Sequence, residues 1–180
     1  RDPIGALTSD KEETHYLEYK STFAADLFRF VRRNETVRNQ DVVAEVPQAI
    51  VGFLNADGGD VIVGICEPRD EIIRQELTRY QSLGSKKVIG LDLDYALVKG
   101  GWDEVINSLL SHLKDKVDPT VAVSLSFDRH LELGLSVAVI KVPRGTKYYY
   151  YDRRFFLRVH NRTQLLSTAE AVDYQRDNPR

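Results

Sequence analysis

The stretch Ala49-Ile50-Val51-Gly52-Phe53-Leu54-Asn55-Ala56-Asp57-Gly58-Gly59-Asp60-Val61-Ile62-Val63-Gly64-Ile65 decides the fold class. Its first half continues a helical pattern: Val42, Val46, Ala49, Ile50 and Phe53 recur at the spacing of one helix face, so residues 41–54 read as an amphipathic helix against a core. Asn55-Ala56-Asp57-Gly58-Gly59 then stops it, because glycine accepts the positive φ that ends a helix. Asp60 to Ile65 follows as a nearly unbroken apolar run, the mark of a strand buried on both faces. Pro47 is the one objection inside the helix. It predicts either a kink or a helix that starts later, with Pro47 in its first turn.

Upstream, Leu17-Glu18-Tyr19-Lys20 alternates apolar and charged residues, so as a strand it sets Glu18 and Lys20 on one face and Leu17 and Tyr19 on the other. Ser9 with Glu12 three residues on predicts a capped turn or helix near residues 9–14, and Phe23 to Val31 a short helix. Downstream, residues 67–87 are polar and read as an exposed excursion. Trp102, Val105, Ile106, Leu109, Leu110, Leu113 and Val117 form the cleanest helical stripe of the chain, ended by Pro119. Val121 to Phe127 and Leu133 to Val142 read as an antiparallel hairpin turning through Asp128-Arg129-His130. Phe155 to Val159 reads as a further strand, and Ser167 or Thr168 as the cap of a last helix. Helices and hairpins mix with an incomplete βαβ alternation. The expectation is an α+β domain with a mixed, largely antiparallel sheet and packed helices.

The 180 residues fit one domain over residues 1–180 with a core of about 7–171. Arg1 at the start and no Met elsewhere read as a piece of a longer protein. The hydrophobic share of 42% supports a core, and no stretch is apolar enough to span a bilayer. A single cysteine, Cys66, and the lack of an apolar leader point to an intracellular setting, cytoplasm or nucleus.

Net charge is −2, but it is unevenly spread. From Lys141 to Arg162 the chain carries Lys141, Arg144, Lys147, Arg153, Arg154, Arg158 and Arg162 against one acid, Asp152. Interleaved are Tyr148, Tyr149, Tyr150, Tyr151, Phe155 and Phe156. Cations for phosphates and aromatic faces for bases are what a nucleic-acid groove requires, whereas the bland alternative is a half-buried strand with ordinary surface charge. The nucleotide-loop, metalloprotease and hydrolase-elbow signatures are absent, and the four histidines lack metal-ligand spacing. Glu13, Glu18 and Glu67 offer carboxylates that could jointly hold Mg²⁺ or Mn²⁺ and position a water. The alternative is that Glu18 pairs with Lys20 or an arginine and Glu13 is a solvated turn residue. Gly58 and Gly59 either present N–H groups to a phosphate or turn helix into strand, with Asn55 capping or bracing that turn.

The ordered set of motifs resembles the Schlafen AlbA-like domain. It comprises Glu18-Tyr19-Lys20, the Asn55 to Gly59 helix stop, Gly64-Ile65, Gly90-Leu91-Asp92, Pro119-Thr120-Val121, Val142-Pro143 and Phe156 to Thr163. The match runs from about Leu7 to Ala171. The resemblance implies a DNA- or RNA-binding fold that is often fused to helicase-like or regulatory regions. In some relatives it implies a metal-dependent endoribonuclease whose first two acids correspond to Glu13 and Glu18. The third would follow Gly64-Ile65 as an Asp. Cys66 stands there instead, with Glu67 one step on.

Three readings follow. The first is a nucleic-acid-binding module contacting the phosphate backbone through Lys20, Arg144, Lys147, Arg153, Arg154, Arg158 and Arg162, with no cofactor required. The second is a Mg²⁺- or Mn²⁺-dependent endoribonuclease using Glu13, Glu18 and Glu67. The third is an interaction module that forms a homodimer, with Tyr148 to Tyr151 as a contact strand.

Overall fold

The computed structural model describes residues 11–180. The helix expected at 9–14 begins outside these; Thr14 forms an isolated bridge to Leu17. A four-stranded sheet runs in the order β1-β2-β7-β6, made of β1 (Leu17–Lys20), β2 (Gly59–Val63), β7 (Leu135–Val142) and β6 (Ser126–Glu132). β1 and β2 pair in parallel, while β2–β7 and β7–β6 are antiparallel, so the sheet is mixed and mostly antiparallel as expected. A parallel neighbour needs a crossover. Here α1 (Leu27–Arg33) and α2 (Gln40–Asn55) supply it.

β2 and the middle of β7 are buried on both faces, and their side chains sort by parity. Val61, Val63, Ala138 and Ile140 pack against α2 and against α5 (Trp102–Lys116), the helix that follows the short α4 (Asp92–Val98). Ile62, Val137 and Val139, with Leu17 and Tyr19, face the other way. They meet Ile65 and Val88 of a small three-stranded sheet, β3 (Ile65–Cys66), β5 (Lys86–Val88) and β4 (Gln81–Leu83). The polar excursion at 67–87 thus contains structure: this sheet and a one-and-a-half-turn helix, α3 (Glu71–Glu76), in which no residue is fully buried.

α2 runs straight through Pro47 instead of starting there. Asn39 caps it upstream, accepting from the Asp41 and Val42 N–H groups. An internal proline costs about 3 kcal/mol. The upstream turn buries Val43 and Val46, at about 1.5–3 kcal/mol per side chain, which offsets that cost.

The hairpin differs from expectation. Val121–Ser124 forms a single helical turn, α6, strand β6 starts at Ser126, and Asp128-Arg129-His130 lies within it. The reversal falls at Leu133-Gly134, both with positive φ. Such a turn usually has Asn or Asp first, and leucine there leaves no signal in the sequence. After β7, residues 143–154 lead into the hairpin of β8 (Phe155–Val159) and β9 (Arg162–Leu166), and α7 (Thr168–Asp177) closes the fold with Ser167 as its cap.

The helix stop works through three residues. Gly58 has φ +75° and donates its N–H to Phe53 O at 2.9 Å. A Cβ at Gly59 would lie 2.3 Å from the Phe53 ring. Asn55, wholly buried, donates to Tyr149 O and Phe156 O and accepts from Tyr149 N–H, each at 2.8 Å. These positions are therefore a turn and a brace. The Gly58 N–H that a phosphate contact needs is already bonded within the helix terminus.

Candidate nucleic-acid cleft

Parity in β1 sends Leu17 and Tyr19 into the core, so Glu18 and Lys20 emerge on the opposite face. Glu18 is 4% exposed, and a carboxylate so buried needs compensating charge. It has two cations. Lys20 Nζ lies 2.7 Å from Oε1, and the Arg158 guanidinium from β8 hydrogen-bonds Oε2, which also accepts from the Thr163 hydroxyl at 2.7 Å. This is the pairing alternative read from the sequence. Arg158, 2% exposed, lies over the Phe53 ring at 4.9 Å. It donates further to Thr14 O (2.7 Å) and Leu17 O (2.8 Å). Its role as a phosphate contact is overturned: the side chain ties β8 to β1 and does not reach solvent.

Titration behaviour follows from this packing. Burial pushes the Glu13 carboxyl above the usual range, although it accepts the Tyr19 N–H at 2.9 Å; Glu13 is thus half-buried and bonded, not a solvated turn residue. Burial disfavours the charged form of Lys20. The adjacent Glu18, by charge and hydrogen bond, outweighs burial and raises its pKa, with Glu45 (3.8 Å) and Glu13 adding. Burial lowers the Arg158 pKa against the opposing pull of Glu18 and Glu13.

The surface above this ion-pair network is an open cleft of about 1050 Å³. Lys20 and Glu18 line it from β1, Arg162 from the start of β9, Glu13 from the N-terminal approach, and Glu67 from beyond β3. Five residues singled out in the sequence, scattered from 13 to 162, are thereby gathered. Sequence reasoning missed others on the same walls: Asn161 of the β8–β9 turn, Thr163 of β9, Ser21, Ser85, Arg69 and Phe28. Asn161 and Thr163 stood inside the Phe156 to Thr163 motif without an assigned role. Arg69 and Phe28 had no sequence signal.

The rest of the basic tract does not line this cleft. Arg144 sits 3.7 Å from Asp57, and Lys147 bonds Asp118 at 2.7 Å. Arg153 and Arg154 are exposed on the turn after Tyr151, with the Arg154 guanidinium over Phe156 at 5.6 Å. The basic/aromatic groove expected along 144–162 does not form, because its rings are core. Tyr149, Tyr151, Phe155 and Phe156 are buried, and only Tyr150 of the tyrosine run is largely exposed. Alternation along an extended segment forces this.

A divalent metal fits these carboxylates poorly. Among the described residues no three His, Cys, Asp or Glu side chains gather closely enough to hold a metal ion. Both Glu18 oxygens are already engaged, and Glu67 lies 3.9 Å from the buried Lys86 ammonium. The expected metal trio Glu13, Glu18 and Glu67 shares a cleft but forms no cage.

Residues 13–167 match the family model described as Schlafen, AlbA_2. The chain belongs to that family. The fold is similar to that of the DIP2311 protein from Corynebacterium diphtheriae, at TM-score 0.57 and 20% identity, over 97% of this chain and 31% of that one. The chain thus spans about a third of that protein. A further similar structure is the N-terminal domain of a RecG-related DNA helicase protein from Nitrosomonas europaea, at TM-score 0.45 and 14% identity, covering 78% of this chain and 70% of that chain. No curated protein matches the chain. Among the described residues no helix is long and apolar enough to cross a membrane.

Proposed function

We propose that this Schlafen AlbA_2 domain binds a nucleic-acid strand in the cleft between β1, the 67–69 loop and the β8–β9 turn. A nucleic-acid role accords with the family. What carries the choice of site is the convergence of Lys20 and Arg162, from opposite ends of the chain, on one open groove with Asn161, Thr163 and Ser85. Cations position a phosphate, and hydroxyl and amide groups reach sugar and phosphate oxygens. Arg162 is exposed and has no carboxylate partner among the described residues, so its guanidinium can take up a phosphate at no cost in broken pairs.

The cleft also carries acids, Glu12, Glu13, Glu18, Glu45 and Glu67. Five cations offset them: Lys20, Arg69 and Arg162 on the walls, with Arg158 and Lys86 buried behind. The groove is close to neutral, which favours a few placed contacts over a diffuse positive field. Fluorescence anisotropy with labelled single-stranded RNA and DNA tests this. Arg162→Ala should weaken binding roughly 10- to 150-fold, since a charge-assisted bond contributes about 1.5–3 kcal/mol. Arg153→Ala with Arg154→Ala should leave it unchanged. The reverse pattern would move the site to the 144–154 tract.

A further inference from the structure

The cleft is lined by two chemically different sets of residues. In one, Glu18, Lys20 and Thr163 are joined by hydrogen bonds, with Arg162 on the same walls. In the other, Cys66 belongs to the apolar cluster of Ala25 and Leu27, Ile73 packs against that cluster, and Phe28 and Pro68 line the groove as well. Phe28 owes its position to helical geometry. In α1, Leu27, Phe30 and Val31 share the inward face and pack into that cluster, so Phe28 is rotated out of it. It is 39% exposed and has no ring partner among the described residues.

The other large exposed aromatics differ. Tyr16 sits edge-on against His15, and the Tyr150 hydroxyl accepts from Gln175. Phe28 has no polar tip that would hold it in water, yet it lines a groove whose cations suit phosphate. Arg69, exposed and without an ion pair among the described residues, adds a second flat group to the same walls.

We infer that Phe28 is a stacking platform for an unpaired nucleobase whose strand also contacts Lys20 and Arg162 in the same cleft. This rests on the cleft being the nucleic-acid site and adds a substrate class: single-stranded or flipped-out segments, since a base within a duplex offers no free face. Stacking is tolerant of base identity, so the subsite selects strandedness more than sequence.

The test compares an unstructured labelled oligonucleotide with a duplex of equal length, using the 180-residue chain and the variants Phe28→Ala, Phe28→Trp and Arg162→Ala. Phe28→Ala should weaken single-strand binding roughly 5- to 150-fold, the range that truncating a stacked aromatic gives. It should leave duplex affinity and the melting temperature unchanged. Phe28→Trp should retain binding, and its added indole emission should be quenched by the oligonucleotide beyond the background of Trp102. If Phe28→Ala binds as wild type while Arg162→Ala is weakened, the stacking subsite is wrong and the cleft stands. Equal losses on single strand and duplex would also overturn stacking. If neither variant is weakened, the cleft reading itself fails.

Discussion

Arg158 and Glu18, 140 positions apart in the sequence, meet as a buried ion pair that fastens the β8–β9 hairpin to the edge strand β1. Each has further bonds: Arg158 to two backbone carbonyls, Glu18 to Lys20 and Thr163. Removing Arg158 leaves the buried Glu18 carboxylate with Lys20 and Thr163 alone, and breaking a buried pair costs about 3–5 kcal/mol. Arg158→Met should therefore lower the unfolding free energy by that amount in urea titration. Arg158→Met combined with Glu18→Gln should cost clearly less than the two single losses summed. Strict additivity would mean that the pair is not coupled.

Asn55 satisfies three buried backbone groups with one side chain. Asn55→Ala leaves them unpaired at about 1–3 kcal/mol each. A loss of at least about 2 kcal/mol is expected, and Asn55→Asp should also destabilise, because it replaces the two donated bonds with a buried charge. A shift in the denaturation midpoint at constant slope measures both.

Acid sensitivity has a local source at Asp118. Its hydrogen bond from Lys147, then those from Thr120, hold the carboxyl at about 2 against an ordinary 3.8. A lowered folded-state pKa means stability that is present above 3.8 and is lost as pH falls towards about 2. Asp118→Asn should flatten the acid limb of the stability curve in that window; above about pH 5, one unit over the unfolded value, it should lower the level of the curve and leave its slope unchanged. An unchanged limb would place the acid sensitivity elsewhere.

With both Glu18 oxygens engaged, Mn²⁺ or Mg²⁺ at millimolar concentration should not raise the melting temperature, whereas a metal bound to the native state would do so by mass action. A clear rise that Glu18→Gln abolishes would show that the carboxylates rearrange into a metal site after all.

Binding should also depend only weakly on salt. With two or three phosphate contacts, log affinity against log salt should fall with a slope of roughly −2 for a single strand. A slope several times steeper would bring the exposed cations outside the cleft into the contact.

The sequence disclosed the α+β class, β1, β2, the long helices, β8 and the Ser167 cap, because each rests on local periodicity or a cap. It did not disclose the Leu133-Gly134 reversal, whose first residue runs against turn preference, or α2 passing through Pro47, where tertiary burial outweighs a local penalty. The same division holds at the site. Glu13, Glu18, Lys20, Glu67 and Arg162 were legible as chemistry-bearing residues. Arg158 was misassigned because charge in a sequence carries no depth: an arginine at a strand position reads as surface until its carboxylate partner, 140 residues away, is placed. Phe28 was invisible because, of two phenylalanines on a seven-residue helix, nothing in the sequence marks one as core and the other as exposed.

The Asn55 brace has a mechanical consequence. One amide couples the end of the principal helix to two separate stretches of the C-terminal half, and the hairpin that carries Arg162 continues directly from one of them. That side of the groove therefore behaves as a stiff jaw whose geometry is set before any strand arrives. The wall that includes Ile73 of α3, a short helix with no fully buried residue, is the pliable one. Hydrogen exchange should find slow amides around Phe156 and fast ones across residues 71–76, with adaptation to different strands confined to the latter.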